Sequence, residues 1–273
     1  MPNLRIVYDN VANKATTLTA SSTGAGLVAS NMLTEYKGQV HRSSGSSVIY
    51  TITWNTPQLI DCVIMPCTNL SSTAQIRVKM YSDAPGTSLI KDSGTVLGVS
   101  TTSMDTARWN NVLNCNTFAF GGFTKAVVWL SSAVSARRCV IEITDTGNGA
   151  GYIDNSRLVI GKAWSPKFNL ENGFQHTFMD SSKVLRADSG DLVSSIGTVA
   201  EGLSFNYSLL TEPDRKDLIK IFKTVGLFKN IFIAALPQTA MDNDIAIYGK
   251  LKQLSYSQKL FSFYSSSVEI ESW

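Results

Sequence analysis

Large apolar residues fall on every second position in several short runs of the first part of the chain, with polar residues between them. Val48, Tyr50, Ile52 and Trp54 share one parity, and Ile76, Val78 and Met80 alternate with Arg77 and Lys79. Period two is the mark of a strand with one face on a core and the other wet. Cys62–Met65 and Ala126–Leu130 are apolar at successive positions, as strands buried on both faces are. Cys139–Ile143 and Arg157–Ile160 complete the set. Turns lie between. In Ser82-Asp-Ala-Pro-Gly86, Pro85 presets φ and Gly86 accepts positive φ. Gly147-Asn-Gly-Ala-Gly151 precedes the strand-like Tyr152 to Ile160 and no helix, so it predicts a hairpin loop and not a phosphate cradle. Many strands, polar turns and no good helix predict an antiparallel jelly-roll sandwich over residues 1–162.

Tyr152 to Trp164 reads as the strand that closes this unit and hands the chain to a second one, residues 163–273. There Leu203, Phe205, Tyr207 and Leu209 alternate with Ser204, Asn206 and Ser208. Thr211-Glu-Pro-Asp214 then opens a helix over about 212–226: Thr211 is an N-cap, Pro213 suits the first turn, and Asp214 favours the exposed amides. Leu218, Ile219, Phe222 and Val225 form its apolar stripe, and Gly226 stops it. Strands return at Asn230–Leu236 and Ile245–Leu251. In Leu260–Ile270, Phe261 and Phe263 have one parity and Val268 and Ile270 the other, which predicts a bulge within Ser265–Ser267. The fold class expected is mainly β, a jelly roll followed by a β-domain with one amphipathic helix.

Composition narrows the function classes. With 44% hydrophobic and 16% charged residues, the 273-residue chain is not disordered and suits two domains. Residues 1–162 carry 13 Lys/Arg and 9 Asp/Glu, and residues 163–273 carry 11 and 12. Neither half has the basic field of a nucleic-acid binder, and Arg137-Arg138 reads as a strand edge or turn. No run approaches the roughly 20 apolar residues of a membrane span. Met1 to Tyr8 becomes strand-like at once, so no secretory leader is expected and folding in a cytoplasm is. Cys62, Cys67, Cys115 and Cys139 lack a paired zinc-ligand spacing and read as buried reduced thiols, with one disulfide as the alternative.

Candidate chemistry is sparse. Trp109 lies beside Arg108, Asn110 and Asn111, and an aromatic ring next to amides and a cation suits a sugar face; a packing lid is the plainer reading. His41 reads as a solvated loop residue. Asp242 and Asp244 make a D-x-D without further oxygen ligands, too little for a metal site. Asp188 and Asp191 pair two carboxylates near a turn, and His176 sits in a probable strand without a nucleophile. Lys216, Lys220 and Lys223 form a basic stripe on the helix, either a solvated face or an assembly surface for an acidic partner. No catalytic residue, metal or cofactor is assigned.

Ala20-Ser-Ser22, Ala29-Ser-Asn-Met-Leu33, Val48–Trp54 followed by Gln58–Met65, Asn69, Ile76–Asp83 and the closing Arg157–Gly161 resemble, over residues 15–162, a galactose-binding-like jelly roll of the discoidin type. That resemblance implies sugar or surface binding through loops at one sandwich end, here Tyr36 to Ser47, Leu70 to Thr73 and Thr101 to Asn111. Gly161-Lys-Ala-Trp-Ser-Pro166, the helix at Thr211, the strand at Ile231 and the runs Tyr248–Leu251 and Val268–Glu271 resemble the small β-domains of tailed-bacteriophage tail and baseplate proteins. The pair implies a non-enzymatic structural part of a phage tail or baseplate, assembled in the host cytoplasm and located in the virion. It would contact its own copies and other tail proteins, without nucleic acid or membrane insertion. A carbohydrate-binding module for host attachment is the alternative, and a polysaccharide-degrading enzyme stands third.

Overall fold

The computed structural model describes residues 3–99, 124–171, 173–195, 197, 199–235, 245–260 and 263–273. Among them the structure is mainly β, with antiparallel sheets and a single α-helix.

The first strand, β1 (Arg5–Val7), departs from the expected division of the chain. It pairs antiparallel with a strand near the other end of the sequence, Ile6 opposite Ile233, and so belongs to the second sheet. Ile6 and Val7 are buried in different clusters, one on each face of that sheet. A three-residue strand finds such two-sided cover only where a second layer lies on each face.

The sandwich is built from β2 (Thr17–Ala20), β3 (His41–Arg42), β4 (Ser47–Thr68), β5 (Gln75–Tyr81), β6 (Leu89–Leu97), β7 (Thr124–Thr144), β8 (Asp154–Asn155) and β9 (Val159–Gly161). β4 and β7 pair along most of their length, through register breaks at Thr53/Gln58 and Ile60/Cys62. Such irregularities bend a strand. The first half of β4 pairs with β2 and the second half with β9. The two halves face each other: Tyr50 and Ile52 share one core with Val63 and Met65. Val48, Tyr50, Ile52 and Trp54 are all buried, and the Trp54 indole donates to the Val11 carbonyl at 2.8 Å. In the turn after β5, Asp83 accepts bonds from the Thr87 and Ser88 amides, which hold its carboxyl down to about 2. The glycine-rich loop at Gly147–Gly151 leads to β8 and no helix.

The second unit contains β10 (Gln175–Asp180), β11 (Lys183–Arg186), β12 (Leu192–Ser195), β13 (Val199–Leu210), α1 (Glu212–Val225), β14 (Asn230–Ala234), β15 (Ala246–Leu260) and β16 (Phe263–Ser272). Its main sheet has the order β1-β14-β15-β16-β13-β10. Thr211 caps α1, accepting from the Asp214 amide at 3.4 Å, and Gly226 ends it at φ +58°. The buried helix residues are Asp214, Leu218, Ile221 and Val225, at spacings of four, three and four. Ile221 thus takes the inward place expected of Ile219.

Two parity expectations are corrected. Leu209 is exposed and Leu210 is buried, because β13 changes register against β16 between Tyr207 and Leu210. No bulge falls within Ser265–Ser267. Ser266, Val268 and Ile270 keep one inward parity, and the breaks lie in the partner strands, at Tyr207/Leu210 and Gln258/Leu260. Ser266 tolerates burial because its hydroxyl donates to the Ser255 carbonyl at 2.9 Å. Phe263 turns to the other side and meets Phe168.

Candidate functional site

The strands that are apolar on both faces position one unit on the other. Val63, Met65, Ala126, Val128 and Ile160 point into the sandwich core. Their neighbours Cys62, Ile64, Val127 and Val159 point outward and pack against Val7, Phe232, Ala234, Ala246 and Tyr248 of the second sheet. Beside this seam lies a polar knot. Arg157, fully buried, donates to Glu35 at 2.5 Å, to the Tyr248 hydroxyl at 3.0 Å and to the Met32 carbonyl at 3.4 Å. The Tyr248 hydroxyl and the Asn230 amide donate to the other oxygen of Glu35, and the Trp273 indole donates to the Glu35 carbonyl. Burial pushes the Tyr248 phenol well up, so it stays a donor. A buried guanidinium needs partners of this kind, because an uncompensated one costs several kcal/mol. Lys125 of β7 adds a 2.6 Å ion pair to Glu201 of β13.

The second unit also sends out a ribbon. β10 and β13 pair from Gln175↔Ser204 to Asp180↔Val199, and β11 and β12 continue the same hairpin as a separate two-stranded ladder. The junction is tight: a Cβ on Gly197 would come within 2.4 Å of the Ser181 backbone. At the tip Gly190 has φ +90°, and Arg186 donates to its carbonyl at 2.7 Å. Every residue of β11 and β12 is exposed. Yet Val184, Leu185, Leu192 and Val193 are apolar, at 60, 69, 64 and 58% exposure. Leu185 lies opposite Val193 on one face, and Val184 and Leu192 lie on the other. At the base Phe178 is also exposed, and β10 is the last strand of its sheet.

The candidate sugar residues Trp109, Arg108, Asn110 and Asn111 lie outside the described residues, with the loop from Thr101 to Asn111, Cys115, Asp242 and Asp244. In the other sandwich-end loops, Tyr36 is exposed, but His41 is buried, contrary to the solvated reading. Its ring bonds to the Tyr50 hydroxyl at 2.9 Å and the Ser22 carbonyl at 3.1 Å, and burial lowers its pKa. It occupies an inward position in β3, which a Ser/Gly-rich context hid. Arg42 forms a two-bond pair with Asp154 and covers the Tyr152 ring, and Ser71 donates to Asp145.

Lys216, Lys220 and Lys223 are exposed on α1, and Lys216 pairs with Glu212 at 3.0 Å. Asp188 and Asp191 sit at the exposed ribbon tip, where Ser189 donates to Asp191. His176 lies 3.6 Å from Glu201, the carboxylate that Lys125 engages. Cys62, Cys67 and Cys139 are free and buried, and burial raises the Cys67 thiol to about 11. Among the described residues no group of His, Cys, Asp and Glu is arranged to hold a metal ion, and no helix is long and apolar enough to cross a membrane.

No protein-family model matches the chain, and no curated protein matches it in sequence. Solved structures do resemble part of it. A GH29 fucosidase from Ruminococcus gnavus in complex with fucose is 14% identical with a TM-score of 0.38, over 57% of this chain. The match spans only 27% of the fucosidase. The lectin domain of lectinolysin complexed with Lewis B antigen is 11% identical over 56% of this chain and 96% of its own, with a TM-score of 0.37. The module CBM32-3 from a family 31 glycoside hydrolase of Clostridium perfringens is 12% identical over 57% and 96%, with a TM-score of 0.39.

Proposed function

We propose that this chain is a non-enzymatic structural subunit that assembles with copies of itself through the projecting ribbon, with the jelly roll held outward as a rigidly mounted module. The observation that carries the reading is the β11–β12 ladder, which has apolar side chains on both faces, none of them covered by another described residue. A two-stranded hairpin alone in water is marginal. A ribbon that is apolar on both faces gains most by lying between two neighbouring surfaces. Exposed apolar groups on the same chain, Leu227 and Phe228 after α1 and Phe178 on the open edge strand, offer such a surface on a second copy. The narrower identity, a bacteriophage tail or baseplate component, rests on the sequence resemblance of residues 161–273 alone. Electron-microscope images of the purified chain at rising concentration are expected to show closed rings or stacks. Particles of single-chain size at every concentration would contradict the proposal.

A second reading is carbohydrate binding by the jelly roll. It is supported by the loop cluster at one sandwich end, where Arg42 covers Tyr152 and amides of Asn69 and Asn148 gather at the Tyr152 carbonyl. Glycan-array binding of the full chain, lost on Tyr152→Ala, is the expected result if the jelly roll serves attachment.

A further inference from the structure

A second feature, independent of the ribbon, lies where the chain passes between its two units. It crosses once at Tyr8–Asp9 and again at Gly161–Trp164, and these crossings form the floor of a cleft of about 370 Å³. The wall on one side is Gln58 and Leu59, at the bend of β4; the other is Asp217, Lys220 and Ile221 of α1. The volume is at the small end of ligand sites, enough for one or two sugar rings.

The floor is fixed in place before any ligand arrives. A Cβ on Gly161 would lie 2.6 Å from the Asp9 carbonyl oxygen, so the close approach of the two crossings requires glycine there. Ile6 and Trp164 exchange backbone hydrogen bonds, each 2.8 Å, and the Ala163 amide donates to Asp61 at 2.9 Å. Tyr8 and Trp164 pack on the second core but remain half-buried, so part of each ring borders the cleft.

The polar groups differ in how far they are engaged. Asp9 is held by Lys14 at 2.6 Å. The Gln58 amide nitrogen donates to Thr56, which leaves its carbonyl oxygen as an acceptor. Lys162, Lys220 and Asp217 have no ion-pair partner among the described residues. With Asp9 neutralised by Lys14, these three give the cleft an excess of one positive charge. Aromatic rings suit the C–H face of a pyranose, Gln58 and Asp217 can accept from its hydroxyls, and two lysines favour a carboxylate.

We propose that this cleft binds a hexuronate, as a free sugar or as the terminal unit of an acidic glycan. Lys162 and Lys220 meet the carboxylate, Gln58 and Asp217 meet hydroxyls, and Trp164 and Tyr8 border the ring. The site is distinct from the sandwich-end loops and does not depend on assembly through the ribbon.

The test is a titration of the full chain with sodium galacturonate and sodium glucuronate, followed by tryptophan fluorescence and by saturation-transfer NMR. Galactose and glucose serve as neutral counterparts. Saturable binding of at least one uronate is expected. Lys162→Glu and Lys220→Glu, both at exposed positions, are each expected to weaken it about tenfold or more, as loss of a charge-assisted bond does. Raised salt should weaken it as well. Circular dichroism of the two variants should match the parent. Absence of saturable binding for both uronates would overturn the proposal. So would uronate binding that neither lysine substitution changes, which places the sugar elsewhere, or neutral hexoses that bind as tightly as the uronates. Particle size measured on the same samples reports on assembly separately.

Discussion

The seam between the two units and the projecting ribbon use the same kinds of side chain to opposite ends. At the seam, Cys62, Ile64, Val127 and Val159 meet Phe232, Ala234 and Tyr248, and all are buried within one chain. On the ribbon, Val184, Leu185, Leu192 and Val193 are in water. Both sets lie on β-strands, so local propensity does not separate them. What separates them is whether a second layer of the same chain lies opposite. The seam has one, keyed by the Arg157–Glu35–Tyr248 knot, and it mounts the sandwich firmly on the second sheet. Among the described residues the ribbon has none, so its apolar groups are free to stabilise contact with another molecule.

The contrast can be broken first at the seam, where the effects are largest. Phe232→Ala removes a fully buried ring that packs near Trp129, and should cost about 4 kcal/mol in denaturant unfolding. A loss below about 1 kcal/mol would show that the seam is not a true core. Arg157→Met keeps most of the volume but leaves the Met32 carbonyl and the knot short of a donor. Glu35 is 48% exposed and can rehydrate, so the expected loss is smaller, about 2 kcal/mol by thermal or urea unfolding.

Within the sandwich, His41 gives a pH test. Burial holds its folded pKa below the ordinary histidine value of about 6.5. As pH falls below that value the unfolded chain takes up a proton that the folded chain resists, so stability declines on acidification. His41→Gln should flatten this part of the stability–pH curve below about pH 6.5. An unchanged slope would remove His41 from the account. The smallest effect on folding is expected on the ribbon: Leu185→Ser with Val193→Ser should leave the unfolding free energy of the isolated chain within about 0.5 kcal/mol, because neither side chain is buried in it.

Much of this architecture was legible in periodicity. Val48–Trp54 and Ile76–Met80 bury the residues their alternation marks, and Thr211 and Gly226 bound the helix. Apolar runs such as Cys62–Met65 announced burial on both faces, although not that the second face would meet another unit. Pairing between distant segments left no local trace, which is why Arg5–Val7 joins a strand at Asn230–Ala234 unforeseen. Single-residue register breaks hid the exchange of Leu209 for Leu210. The ribbon had a local signal: Val184-Leu185 and Leu192-Val193 flank the Asp188-Ser-Gly-Asp191 turn. Two short apolar pairs around a Ser-Gly turn mark a hairpin, although their exposure is not written in the sequence. The cleft at Trp164 had none, since its lining comes from four segments far apart in sequence, around Tyr8, Gln58, Lys162 and Lys220, that converge only after folding.

The ribbon is proposed to be an assembly element. Sedimentation velocity over a concentration series, on the parent chain and the Leu185→Ser/Val193→Ser variant, tests it most directly. The parent is expected to shift to species larger than one chain as concentration rises, and the folded variant to remain a single chain. A parent that stays monomeric throughout, or a variant that assembles as the parent does, would contradict it.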